Sequence, residues 1–214
     1  MLKPSIGLSL EGMPFLGLVT LATLVFAILG WPVSALIGLV LVFFVLNFFR
    51  DPERVVPDER DAAVSPADGK VVKVQAMPDP MTGESRTAVC VFMNVFNVHV
   101  NRTPVDGTVA GIRYWPGKFL NASLDKASTD NERSAMQVVD KDGASWTVVQ
   151  IAGLIARRII SWAEKGDTLA RGERYGLIKF GSRVDLYLPA DYVPTVRVGE
   201  KVLAGQTILA RKRS

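Results

Sequence analysis

The chain has one cysteine and one histidine in 214 residues. A single thiol, Cys90, excludes any disulfide within the chain and fits a reducing compartment. Its setting in "AVCVF" is that of a small core residue. A single imidazole confines all histidine chemistry to His99, and no metal centre is expected. Charge is missing altogether from residues 12–49. That stretch also lacks a small-residue cleavage site ahead of a polar domain and is too long for a secretory leader, which disfavours a signal peptide.

The uncharged stretch exceeds the roughly 20 apolar residues that one helical span requires. Gly30-Trp31-Pro32 divides it, and proline cannot continue a helix without losing a backbone hydrogen bond. Two short helices follow, at about 14–30 and about 33–49, forming an apolar hairpin. Lys3 lies at one end and Arg50, Arg54 and Arg60 at the other. This asymmetry places both ends, and the domain that follows, on the cytoplasmic side of the cell (inner) membrane. The net charge of +4 and pI of about 9.3 come from basic residues scattered among acids, so a surface facing anionic lipid is expected and a nucleic-acid partner is not.

Three segments result: residues 1–50 as a membrane-anchoring hairpin, 51–63 ("DPERVVPDERDAA") as a linker, and 64–214 as a domain. In the last, β-branched runs alternate with turns: "KVVKV", "TAVCVFMNVFNVHVN", "GTVAGIRYW", "AMQVVD", "SWTVVQIAG", "RYGLIKF", "RVDLYLP", "PTVRV" and "QTILARK". This spacing predicts a mainly β fold of hairpins, sandwich-like or barrel-sandwich-like, with helix a minor part. One helical interruption is expected in "LIARRIISWAEKG", and "FLNASLDKASTDNERS" has too few apolar positions for a strand. Turns such as "GEKVLAGQ" resemble those of lipoyl- and biotinyl-carrier sandwiches. No lysine sits in the tight turn that such a domain modifies, which disfavours a carrier.

"YGLIKFGSRVDLYLP" places a glycine and a serine inside an apolar β run. A serine hydroxyl can attack the preceding carbonyl only where the backbone is strained and open, and a glycine before it removes an obstructing Cβ. Gly181-Ser182 meets that condition. The resulting ester can eliminate to a dehydroalanine, which hydrolyses to a pyruvoyl group with release of ammonia. A bare Gly-Ser pair is also ordinary turn material, and neither His99 in "FNVHVNRTP" nor Asp68 in "SPADGK" names a function by itself.

Taken together and in this order, "FFRDPER", "SPADGKV", "FNVHVNRTP", "FLNASLDKASTDNERS", "IAGLIARRI" and "FGSRVDLYLP" resemble the phosphatidylserine decarboxylases, in particular their short, archaeal-type branch. The resemblance runs from about residue 47 to 210. It implies self-cleavage between Gly181 and Ser182 into a β chain (1–181) and an α chain (182–214) that remain associated, with Ser182 converted to the pyruvoyl cofactor. It also implies a phospholipid substrate whose amine condenses with that ketone before carbon dioxide leaves. Asp68 and His99 match an aspartate and a histidine of the processing and catalytic machinery. His99 would exchange protons, and Asp68 would orient it or help to activate Ser182. Longer members carry a second histidine three residues on, where this chain has Arg102. Either another base starts processing or His99 serves both steps. Asn121, Asn131 and Arg133 are candidate headgroup contacts, arginine offering a bidentate match to phosphate. The competing readings are a pyruvoyl decarboxylase of another serine-headgroup lipid and a non-catalytic, membrane-anchored β-sandwich binding module.

Overall fold

The computed structural model describes residues 7–122, 127–154, 158–179 and 181–213. It divides into two compact units, one ending at Glu53 and the other beginning at Arg54. In the first, a 3-10 turn (Leu10–Gly12) leads into α1 (Met13–Ile28), and α2 (Pro32–Phe48) follows. Proline stands in the first turn of each helix, where no backbone N–H is needed. Between them Gly30 takes a φ of 71°, which turns the chain back.

The two helices run antiparallel, and backbone hydrogen bonds close the open end of the hairpin, from Ser9 N to Phe49 O (2.8 Å) and from Asp51 N to Gly7 O (2.7 Å). Close approach depends on Gly38. A Cβ there would stand 2.3 Å from the Thr23 hydroxyl, which donates to the Val19 carbonyl at 2.7 Å. Leu10–Ile28 is long and apolar enough to cross a membrane; Pro32–Phe48 is apolar but shorter. Leu18, Leu21, Ile28, Leu36 and Phe43 are exposed, an apolar surface that suits a bilayer better than water.

The second unit is built from antiparallel strands: β1 (Ala62–Val64), β2 (Gly69–Pro78), β3 (Ser85–Met93), β4 (Val100–Arg102), β5 (Gly107–Trp115), β6 (Arg133–Val139), β7 (Ser145–Ala152), β8 (Ile159–Ser161), β9 (Thr168–Leu169), β10 (Arg174–Ile178), β11 (Ser182–Tyr187), β12 (Tyr192–Pro194), β13 (Lys201–Val202) and β14 (Ile208–Lys212). A four-residue helix, α3 (Ala127–Asp130), precedes β6. The order β13-β2-β3-β11-β7-β6-β5-β9 makes an eight-stranded sheet, and β4-β10-β8 and β1-β14-β12 make two smaller ones. Val91, Met93, Val148, Val184 and Leu186 of the large sheet pack with Tyr175 and Ile178 of one small sheet and Leu209 and Ala210 of the other. The fold is mainly β, as the spacing of apolar runs predicts.

Both tight hairpins of the large sheet turn on aspartate. Asp79 Oδ1 accepts from Met81 N (2.8 Å), and Asp140 Oδ1 accepts from Ala144 N (2.9 Å) while its Oδ2 accepts from Trp146 Nε1 (2.9 Å). The helix expected in "LIARRIISWAEKG" is not what forms at 159–161, which is strand β8, paired with β10. Two β-branched isoleucines favour the extended form. Gly176 admits the Ile160 carbonyl, which would lie 2.4 Å from a Cβ placed there. Residues 155–157 of that segment lie outside the described residues. The stretch from 54 to 61 is bonded into this unit: Arg171 donates to the carbonyls of Pro57 (2.8 Å) and Glu59 (2.5 Å), and Arg54 to Asp68.

Candidate active site

Strand β11 explains the polar residues inside an apolar run. Side chains alternate across a strand, so Ser182, Val184 and Leu186 face the main core while Arg183, Asp185 and Tyr187 face the other side of the sheet. All six are buried. β11 is flanked by β3 and β7, with Ser182 opposite Met93 on one side and Ala152 on the other. On β2, Lys70 pairs with Phe92, so Gly69 falls level with Met93, and Val202 of β13 falls level with Gly69. Ser182 therefore stands in the last row of the sheet. The loops beyond that row carry Asp68, the segment leading to His99, and Gly153.

The Gly181-Ser182 bond lies just past the strand end. Gly181 has a φ of 54°, which glycine adopts without the penalty an L side chain pays. Its carbonyl lodges against Gly153, where a Cβ would be 1.9 Å from the Gly181 oxygen and 2.8 Å from its carbon. Ser182 is fully buried, and its hydroxyl has no hydrogen-bond partner among the described residues. A buried hydroxyl left unsatisfied costs stability. Here it sits beside the carbonyl that it would attack. Gly153 was not singled out from the sequence, where it is one more turn glycine after a strand.

His99 is buried next to this end of the sheet. Its backbone carbonyl accepts from Ile178 N (3.3 Å), four residues before Ser182, and its Nδ1 lies 2.9 Å from the Asn97 carbonyl. A carbonyl only accepts, so Nδ1 carries the proton and Nε2 is the basic nitrogen of the neutral ring. Two residues on, buried Asn101 donates to Met93 Sδ (3.8 Å) and accepts from Gln150 Nε2 (2.9 Å). This polar tie joins β4 to the strands on either side of Ser182. Neither Asn101 nor Gln150 carried a sequence signal.

Asp68 is buried, but its carboxylate is committed elsewhere. Oδ2 pairs with Arg54 (2.8 Å) and Oδ1 accepts from Ala204 N (2.7 Å). It thus fixes the turn after β13. Among the described residues, the group that holds His99 Nδ1 is the Asn97 carbonyl. Arg102, in the place of a second histidine, is buried and donates to the Gly172 carbonyl (2.9 Å).

On the opposite face, Arg183 forks onto Asp185 through Nε and Nη2, both at 2.7 Å, with both residues wholly buried. It also donates to the Ala122 carbonyl (3.2 Å) and to the Ser128 hydroxyl, tying Ala122 and α3 to the sheet. Burial, then the Asp185 charge, pushes the neighbouring Cys90 thiol well above its usual range. Removing one partner of such a pair strands the other charge. An Asp185→Ala chain is expected to lose about 3–5 kcal/mol, lowering its thermal midpoint by roughly 6–20 °C. A melting scan in detergent checks this, and an unchanged midpoint would show that the pair contributes nothing net.

The three expected headgroup residues fare differently. Asn131 is fully buried, donating to the carbonyls of Leu120 (2.8 Å) and Ala152 (2.7 Å) and accepting from Leu120 N (3.0 Å). It braces the cross-strand neighbour of Ser182. Arg133 stacks on Trp115 at 4.9 Å, beside Arg113 at 4.8 Å. Asn121 is exposed. No cluster that could hold a metal ion occurs among the described residues.

Comparison with known proteins fits this geometry. The family model for phosphatidylserine decarboxylase matches residues 41–210. The phosphatidylserine decarboxylase proenzyme of Nitratidesulfovibrio vulgaris is 63% identical over 99% of this chain and 98% of its own length. That of Solidesulfovibrio magneticus is 62% identical over 99% of both chains. That of Ralstonia nicotianae is 54% identical over 94% and 93%. With agreement reaching from the apolar helices to the last strand and enclosing Gly181-Ser182, the chain belongs to the phosphatidylserine decarboxylase family.

Proposed function

We propose that this chain converts phosphatidylserine to phosphatidylethanolamine and carbon dioxide, and that it first makes its own electrophile from Ser182. The observation that carries the proposal is the buried hydroxyl of Ser182, without a hydrogen-bond partner among the described residues, next to a Gly181 carbonyl seated in the space that Gly153 leaves. Attack of Oγ on that carbonyl breaks the C–N bond and forms an ester, freeing the amine of residue 182. Loss of the Cα proton then expels the Gly181 carboxylate and leaves a dehydroalanine. Its tautomer is hydrolysed by water, and ammonia departs.

The pyruvoyl group so formed supplies the electron sink for a departing carboxylate that no unmodified side chain provides. Arg183 holds the new terminus in place, since its guanidinium stays forked on Asp185 and tied to Ala122. His99, with Nδ1 held by Asn97, presents Nε2 to take a proton from the substrate or return one near neutral pH. Asp68 positions the turn at Ala204. Arg133 and Asn121 are left to meet the phosphate, while Asn131 shapes the loop behind them.

Residues 1–181 and 182–214 stay together as a heterodimer after cleavage. β11 is bonded on both sides by strands of the larger piece, β13 pairs with β2 and β14 with β1. Residues 1–50 anchor the enzyme, and Arg50, Arg54 and Arg60 hold the catalytic domain on the cytoplasmic side of the cell membrane. Purified protein is expected to release carbon dioxide from phosphatidylserine vesicles and to lose that activity after borohydride reduction. Full activity after reduction would contradict a ketone at residue 182. For His99→Ala we expect decarboxylation to fall about 10²-fold or more; turnover at the parent rate removes the imidazole from the chemistry.

A further inference from the structure

The two ends of the eight-stranded sheet differ in character. At one end lie the hairpin turns 79–84 and 140–144, with the sequences "DPMTGE" and "DKDGA", where no large apolar side chain is exposed. At the other end lie Ser182 and the loops around it. There Phe96 is 68% exposed, Leu154 68%, Leu203 46% and Phe119 36%. Phe96 follows β3, whose Met93 opposes Ser182, and Leu154 follows β7, whose Ala152 opposes it from the other side. Leu203 follows Val202, which is level with Gly69. Phe119 follows β5, whose Trp115 pairs with Arg133, itself opposite Ile151. Among the described residues of this unit, the other large apolar side chains that stand exposed are Tyr114, on β5 at this same end, and Val55 and Val198.

Large apolar side chains that stay this exposed at loop tips, grouped along the edge that holds the Gly181-Ser182 bond, mark an interaction surface. Cations accompany them. Arg158, exposed and opposite Lys179 on the approach to Gly181, and Arg113, exposed on β5, lie at the same end. Apolar tips with basic neighbours match the boundary between acyl chains and anionic headgroups.

We propose that this rim is a bilayer-docking surface: Phe96, Phe119, Leu154 and Leu203 insert among the acyl chains of an anionic membrane around residue 182, with Arg113 and Arg158 at headgroup level. The inference rests on the lipid reading of the site given above. It adds that the lipid is met while still seated in its bilayer, with the catalytic unit itself touching the membrane apart from any anchoring helix.

The test uses the full chain in vesicles of phosphatidylcholine and phosphatidylserine. Cys90, the native cysteine, is buried and its thiol is pushed up by that burial, so a nitroxide attached to a Leu154→Cys variant reports position 154. The expected result is collision with dissolved oxygen well above collision with a water-soluble nickel chelate at 154, and the reverse for Lys141→Cys at the far end. Equal, water-like behaviour at both positions overturns the proposal. Protection of 154 from both reagents also overturns it, because that signals a protein contact. This readout needs no turnover, so it stands or falls separately from the decarboxylase assignment. In a second measurement, the Phe96→Ser/Leu154→Ser chain is assayed on vesicles and on dispersed short-chain phosphatidylserine. The ratio of kcat/KM on the two substrates is expected to fall about tenfold, as loss of large apolar side chains from a lipid contact requires; an unchanged ratio contradicts docking.

Discussion

A Ser182→Ala chain is expected to remain one 214-residue polypeptide and to release no carbon dioxide. Alanine keeps the β11 register and fits the same buried position, so the sheet has no reason to rearrange. It lacks only the oxygen. Without that oxygen no ester can form at Gly181, and without the ester there is neither scission nor ketone. The loss is therefore absolute rather than graded, unlike the loss of a proton-transfer residue, which leaves residual rate. The variant is also expected to melt at or slightly above the midpoint of an uncleaved parent, because it removes a buried hydroxyl with no hydrogen-bond partner among the described residues. A denaturing gel and carbon dioxide capture decide the first two points. A cleaved product or normal turnover from this variant would end the assignment of Ser182.

Gly153→Ala is expected to block or slow self-cleavage by about 10²-fold or more, the scale of an ångström misplacement at a reacting carbonyl. The added Cβ would lie 1.9 Å from the Gly181 oxygen, and the obstacle is backbone, which cannot swing aside as a long side chain can. Either the carbonyl turns away from Ser182 or the strand ends part. Gly111→Ala is the control: among the described residues its Cβ would meet only Met81 Cε, at 3.7 Å, and cleavage should match the parent. Time courses of cleavage during refolding read both. A cooperative melt in the uncleaved Gly153→Ala chain separates blocked chemistry from misfolding. Parent-like cleavage would show that the Gly181 carbonyl does not need that space.

Much of this architecture is visible in the order of residues because period-two alternation and turn residues act locally. "GTVAGIRYW" and "SWTVVQIAG" announce β5 and β7 almost to the residue. The helical hairpin follows from an uncharged stretch and one proline. Ser182 is legible because a chemical requirement singles out a Gly-Ser pair in a strand, and the resemblance to a family gives it weight. Long-range facts are not legible in that way. Asn131 looks like a polar loop residue suited to a headgroup, yet its donors and acceptor are drawn inward to Leu120 and Ala152. Asp68 suggests a partner for His99, but Arg54 and Ala204 reach it from 14 and 136 residues away. β8 shows the same limit: a short amphipathic stretch becomes strand because β10 offers a glycine edge for it to pair with. In each case a contact set by tertiary packing outweighs the local preference.

The account turns on whether the bond between Gly181 and Ser182 is broken in the mature protein and residue 182 carries a ketone. Intact-mass measurement on protein purified from cells under denaturing conditions tests this most directly. The predicted result is two polypeptides, residues 1–181 and a C-terminal piece lighter than residues 182–214 by one ammonia. A single mass for the uncut chain, from protein that actively decarboxylates phosphatidylserine, would contradict it.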